Sequence, residues 1–234
     1  MSARDAILAK LRAAPKQNLA PAATTAYYQD NVPQWDALGR LRHWARTMRA
    51  VNTEIVWVHA HDWAEQLQAC LQQKGLRHLL LAKASAHGAE AAAQLAAHAP
   101  DICVTDYSRD IDDWKAELFT HIDCGFTDVR AGIAQTGTLV LWPDAIQPRS
   151  MSLVPHTHIA LFDTLSLHDR FIDAMQALDM ATGMPTNVVL VSGPSKTADI
   201  QMTLAYGAHG PKNLIVLALL PDGIDSCSLE ETQP

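Results

Sequence analysis

Glu54-Ile-Val-Trp-Val58 is a β-like run, and the residues after it decide the fold. Asp62 is placed to cap a helix over 62–74, Gly75 stops that helix, and His78-Leu-Leu-Leu81 is a second short apolar strand. The alternation then continues. An Ala-rich helix is expected over 86–98, a strand over 102–105 and a helix over 111–119. Apolar runs at 138–142 and 159–162 are separated by a proline-bearing stretch without helical pattern. A helix is read over 167–181, with Phe171, Met175 and Leu178 facing inward. A buried strand at 188–191, a turn, a helix over 200–206 and a strand at 214–220 close the chain. Strands alternating with helices of roughly 10–15 residues imply an α/β fold with a largely parallel sheet covered on both faces.

Upstream of Glu54 the pattern is helical. Ser2 is a plausible N-cap with Asp5 in the first turn, and Ile7, Leu8 and Leu11 form a stripe that Pro15 ends. Residues 15–33 read as a linker, and a second helix is expected over 35–50 with Trp35, Leu38, Leu41, Ala45 and Met48 on one side. The organisation expected is an N-terminal helical arm and linker over 1–50 and one core domain over 51–234.

Composition narrows the class. The 234 residues are 48% hydrophobic and 18% charged, enough for a sizeable core. A net charge of −7 argues against a dedicated nucleic-acid binder or an anionic membrane surface. No apolar run approaches the roughly 20 residues of a membrane span, and no signal-peptide pattern is visible, so a cytoplasmic location is expected. Cys70, Cys103, Cys124 and Cys227 form no C-x-x-C pair, which signals neither a zinc ribbon nor a cysteine-ligated cluster. Buried, reduced thiols are the plain reading. Of the six tryptophans, most fall on helix stripes and suit a core better than base stacking.

Three stretches carry chemistry. In Val188-Val-Leu-Val-Ser-Gly-Pro-Ser-Lys-Thr-Ala-Asp199 a strand enters a Gly193-Pro turn and then a helix start, whose free N–H groups suit an anion. Ser195 and Thr197 offer hydroxyls there and Lys196 a charge; the plainer alternative is a capped helix with a solvated lysine. In Gln135-Thr-Gly-Thr138, Thr136 and Thr138 flank Gly137, where a backbone can approach a ligand or simply make a turn. In His209-Gly-Pro-Lys212, Gly210 and Pro211 build a turn and His209 is a candidate acid–base or orienting group. In a parallel sheet Ser192 and His209 would fall at opposite ends unless their connection is short. The pairs His59/His61 and His156/His158 have period-two spacing, but no carboxylate motif fixes a third metal ligand, so no metal is expected.

Together Gly132-Ile-Ala-Gln-Thr-Gly-Thr-Leu-Val-Leu141, Arg149 with Ser152-Leu-Val-Pro-His156, Ser192-Gly-Pro-Ser-Lys-Thr-Ala-Asp-Ile200 and Gly207-Ala-His-Gly-Pro211 resemble the lactate-utilization protein C family, the LUD domain. The resemblance spans residues 54–220 in family order. It implies a three-layer α/β sandwich similar to the glucosamine-phosphate deaminase, ribose-phosphate isomerase and CoA-transferase group. It also implies a part in oxidising L-lactate to pyruvate beside iron–sulfur and cysteine-rich partner proteins, this chain itself holding no cofactor. Thr136, Gly137, Thr138, Gly193, Ser195, Lys196, Thr197, Asp199, His209 and Gly210 are the candidate contacts for a small carboxylate or other anionic metabolite. Two positions depart from the family pattern: Gln201 stands where an acidic residue is usual, and Ile215 where a histidine often is. The alternative function is a free-standing enzyme on a phosphorylated or CoA-linked metabolite. No glutamate lies between Glu117 and Glu230, which counts against a covalent CoA-transferase step, while Asp128 or Asp199 would remain for acid–base work.

Overall fold

The structure is a computed structural model that describes residues 2–14, 32–33, 35–198, 204–207 and 209–229. Contacts divide the chain into two compact units, residues 1–34 and 35–234. In the first, α1 (Ala3–Ala13) starts on a reciprocal cap: Asp5 N–H donates to Ser2 Oγ at 3.2 Å, and Ser2 N–H donates to Asp5 Oδ2 at 3.1 Å. None of its residues is buried, and Ile7 and Leu11 of the stripe stand exposed while Leu8 is half-buried.

The second unit is built on a six-stranded sheet, wholly parallel, in the order β1 (Glu54–Val58), β12 (Asn213–Leu219), β7 (Thr157–Asp163), β4 (Cys124–Asp128), β2 (His78–Leu81), β3 (Cys103–Asp106). Period-two alternation sends its side chains into two cores. Val58, Leu79, Leu81, Phe126, Ile159, Leu161, Ile215 and Leu217 pack with α3 (Trp63–Gln73) and α4 (Ala86–His98). On the other face Ile55, Ala160, Phe162, Leu214, Val216 and Ala218 meet α2 (Ala37–Arg49). Leu80 instead packs with Trp114 and Leu118 of α5 (Ile111–Thr120) and Met151 of α6 (Ser150–Leu153).

A second sheet, β8 (Leu167–His168), β5 (Ala131–Ile133), β6 (Thr138–Leu141), β9 (Val189–Val191), contributes Leu139 and Leu167 to the α2 side of the core. Its strands are short and mixed in direction, and its far side packs on α7 (Phe171–Ala177) through Ala174. Four expectations change here. The helix read over 167–181 is split: Leu167 and His168 pair with β5, the helix starts at Phe171, and Phe171 is exposed. The run at 188–191 is an edge strand of the small sheet with Leu190 exposed, not a buried strand of the main one. Of the four thiols, Cys70 and Cys124 are buried but Cys103 and Cys227 are exposed; all are free. Burial raises the Cys70 thiol to about 11.

The helix assigned to the arm also lies deeper than read. Leu41, Trp44, Ala45 and Met48 of α2 are buried in the core of the second unit, Trp44 with its ring 5.1 Å from Phe162. Trp44→Ala is therefore expected to lose about 3–5 kcal/mol of stability in urea unfolding, and Leu11→Ala less than about 0.5 kcal/mol. Equal small losses would contradict the packing of α2.

Candidate functional site

Three of the four motif blocks meet around one cavity. It measures about 150 Å³ and is lined by Ser192–Ser195, by His209–Pro211, by Ser152 and Leu153, and by His158 and Leu214 near the starts of β7 and β12. Ser192 and His209 do not fall at opposite ends of a sheet, because the segment between them is not the expected helix. Lys196–Ala198 and Leu204–Tyr206 are β10 and β11, an antiparallel pair with Lys196 opposite Tyr206. Residues 199–203 lie outside the described residues, and with them Asp199 and Gln201.

The reason is visible in the backbone of Ser195. Its N–H donates to Pro211 O at 2.8 Å, and its carbonyl accepts from Gly207 N–H at 2.9 Å. These bonds continue the hairpin, and the first uses an N–H that a helix start would have presented to an anion. The predicted anion seat at a helix N-terminus is thus corrected to a strand-borne turn. Lys196 is exposed on β10, beside the cavity-lining Ser195, and Thr197 follows it on the same strand.

The blocks are tied to one another by polar contacts. Ser192 Oγ and Thr138 Oγ1 lie 2.7 Å apart, and Thr138 Oγ1 and Thr136 Oγ1 also 2.7 Å. The Thr-Gly-Thr turn therefore braces the cavity wall without lining it. Gly137 has φ +58°, and a Cβ there would stand 2.7 Å from Thr47 of α2, so its close approach is to a helix, not to a ligand. Gly193 has φ +122° with a Cβ position 2.7 Å from Val51, a conformation reserved for glycine. Lys212 and Asn213 N–H groups both donate to His156 O, at 2.8 and 3.1 Å, locking the His-Gly-Pro turn to the start of β7. His209 is exposed; its N–H reaches Ser195 Oγ at 3.4 Å, and Gly210 packs on the Ser195 side chain.

His158 lines this cavity without having been singled out for it. Its Nε2 sits 2.8 Å from Thr127 Oγ1, and complete burial pushes its pKa down to about 4. It is a neutral hydrogen-bonding group, while His156 is exposed outside the strand. The His156/His158 pair is thereby divided between solvent and core. His59 and His61 stack at 5.6 Å just past the end of β1. No group of three or more metal-ligating side chains occurs among the described residues. Nor does any helix among them have the length and apolarity to cross a membrane.

A second arrangement has no local sequence signal, since its members lie 41 residues apart: His87 Nδ1 is 2.7 Å from Asp128 Oδ1. It lies beside a larger cleft, of about 480 Å³.

The model of the LUD domain matches residues 41–219. An uncharacterized protein of Neisseria meningitidis serogroup B is 48% identical over 99% of both chains. A lactate utilization protein C of Macrococcus caseolyticus is 29% identical over 69% of each chain. That of Bacillus subtilis is 36% identical over 46% of this chain and 47% of its own. Among solved structures, a DUF162 family protein from Deinococcus radiodurans has a TM-score of 0.56 at 17% identity, covering 79% of this chain and 99% of its own.

His158 makes a testable contribution to stability. Its native pKa lies near 4, below the ordinary 6.5, so between these values the unfolded chain takes up a proton that the native chain refuses. Stability from this group is full above 6.5 and falls as pH drops toward 4. Urea unfolding across that window should cost the wild type roughly 3 kcal/mol more than His158→Gln. Parallel pH profiles would show that burial does not hold this ring neutral.

Proposed function

The chain belongs to the LUD domain family, and from that premise we infer that it is a component of an L-lactate utilization system. Relatives named lactate utilization protein C support this reading. The observation that carries it furthest is the meeting of three family motif blocks around one cavity. Residues drawn from three separate stretches of the chain are brought together there, bonded through Ser195, Lys212 and Asn213.

In this reading the protein is a ligand-binding or assembly subunit for a small carboxylate. Oxidation of L-lactate to pyruvate removes two electrons and two protons. The electrons pass to iron–sulfur clusters in cysteine-rich partner proteins, because no cysteine pair in this chain has cluster-ligand spacing. Hydroxyls of Ser192 and Ser195 and the rim residues Lys196 and His209 form the surface presented to ligand or partner. The likeness to the glucosamine-phosphate deaminase, ribose-phosphate isomerase and CoA-transferase group belongs to the same proposal, and the parallel sheet with helices on both faces is consistent with it.

Deleting the gene in a host with no other lactate oxidase should abolish growth on L-lactate. The wild-type gene should restore growth. Ser192→Phe, which fills the cavity mouth, should fail to restore it although the protein accumulates and shows a native circular-dichroism spectrum. Undiminished growth of the deletion strain would overturn the assignment.

A further inference from the structure

β2 and β4 are neighbours in the central sheet, yet the chain leaves them in opposite directions: from β2 through α4 outward to β3, and from β4 the other way to β7. In open parallel sheets a crevice forms outside the carboxyl ends of two such strands, and ligands bind there. Three of the motif blocks line the other cavity, while the first runs beside this crevice, the Arg130 N–H donating to Val140 O at 2.9 Å. What stands at this crevice is Asp128, the last residue of β4, and His87, in the first turn of the helix that follows β2.

The pair is held from several sides. His87 Nδ1 meets Asp128 Oδ1 at 2.7 Å, and the second carboxylate oxygen accepts from Gln147 Nε2 at 2.6 Å. Gln147 Oε1 in turn accepts from the Asp128 N–H at 3.0 Å. The loop carrying Gln147 is fixed by Asp144 Oδ1, which accepts from the N–H groups of Ile146 and Gln147 at 2.8 and 2.7 Å. The His87 ring also stands edge-on to Trp63 at 5.4 Å. A carboxylate braced in this way fixes ring orientation and tautomer and leaves Nε2 as the group that can exchange a proton. The hydrogen bond to Asp128 holds the imidazole pKa above its ordinary value, against partial burial, with Asp128, Glu90 and Asp163 adding negative potential.

Beside the pair the cleft of about 480 Å³ is walled by Ser85, Asp128, Arg130, Trp142, Asp144 and Gln147. That volume lies within the roughly 300–1,000 Å³ of small-molecule sites, which the motif cavity does not reach. The Arg130 guanidinium lies 5.8 Å over the Trp142 ring and makes no ion pair with a carboxylate among the described residues. A planar, exposed cation over an aromatic wall, in a cleft whose Asp128 holds an imidazole, has a specific complement.

We propose that this crevice binds a small carboxylate with a hydroxyl or carbonyl on the adjacent carbon, Arg130 meeting the carboxylate and His87 Nε2 hydrogen-bonding the neighbouring oxygen. A hydroxyl donates a hydrogen bond to neutral Nε2, or a carbonyl oxygen accepts one from the Nε2–H of the imidazolium. Asp128 and Gln147 are positioning residues. The choice of a hydroxy or oxo acid rests on the proposed part in lactate utilization; the place of the site does not.

The experiment follows the His87 ring by NMR in the full chain, its signals assigned by their loss in His87→Gln. L-lactate and pyruvate should shift them saturably, and Arg130→Gln should weaken that binding roughly tenfold or more. In the free protein Asp128→Asn should lower the His87 pKa, a change that mere loss of packing does not predict. Three results would overturn the site: ring signals unmoved by either acid, inorganic phosphate shifting them as strongly as the acids, or wild-type affinity in Arg130→Gln. Saturable binding in a protein whose deletion leaves growth intact would keep the crevice and remove the pathway role. Abolished growth with an unmoved ring would do the reverse.

Discussion

The register of β12 governs most of what this molecule can do. Asn213–Leu219 is hydrogen-bonded on both sides, to β1 and to β7, and its side chains alternate strictly between two cores: Leu214, Val216 and Ala218 on one face, Ile215 and Leu217 on the other. A slip of one residue would exchange every one of these faces. The strand is entered directly from His209-Gly-Pro-Lys212, and the two N–H bonds to His156 O sit at its first residues. Holding the core in register therefore also holds the His-Gly-Pro turn against Ser195. The Ile215 that departs from the family pattern makes sense in this light, since it is buried in the α3–α4 core and does not face the cavity.

The two candidate sites occupy different ends of the sheet and differ in chemistry. The motif cavity is lined by the second residues of β7 and β12, His158 and Leu214, at the amino-terminal ends of those strands. The crevice lies at the carboxyl ends of β2 and β4. The same residue type serves opposite purposes in them. Burial strips His158 of any charge near neutral pH, whereas a carboxylate partner favours the charged form of His87. Asp128, noted from the sequence as one carboxylate left for acid–base work, is the residue that joins the second arrangement together.

Much of the main sheet was legible because its strands are short apolar runs bounded by capped helices; β4, with Gly125 and Thr127 inside it, was not read. Asp36, Ser85 and Asp110 each accept an N–H at the start of a helix, and Gly75 follows one. Of the small sheet only the runs at 138–142 and 188–191 were legible, and nothing in them separated a second sheet from the first. Leu167-His168 is two residues of strand running into a helix, too short for either period to register, and Leu190 points outward from an edge. The hairpin after Ser195 was misread for a different reason: a Gly-Pro turn followed by Ser, Lys, Thr and Asp is good helix-start chemistry locally, and only the distant partners Gly207 and Pro211 make it a strand. The His87–Asp128 contact spans 41 positions and becomes visible through strand order alone.

Charge then decides between the sites as the seat of an anion. The cavity offers hydroxyls, a neutral buried imidazole and apolar walls; Lys196, expected to supply its positive charge, is exposed on β10 at the rim and does not line it. A carboxylate moved into such a space would leave water without a fixed counter-charge. Hydroxyls of Ser192 and Thr138 are already engaged with one another, which makes the cavity wall a brace as much as a receptor. The crevice supplies an arginine over an indole and, bonded to its wall, an imidazole biased toward its charged form; of its two lining carboxylates Asp128 is paired with that imidazole and Asp144 accepts two backbone N–H groups. If a small acid is this protein's ligand, its counter-charge stands in the crevice, and the motif cavity is left to present its hydroxyls and rim to a partner.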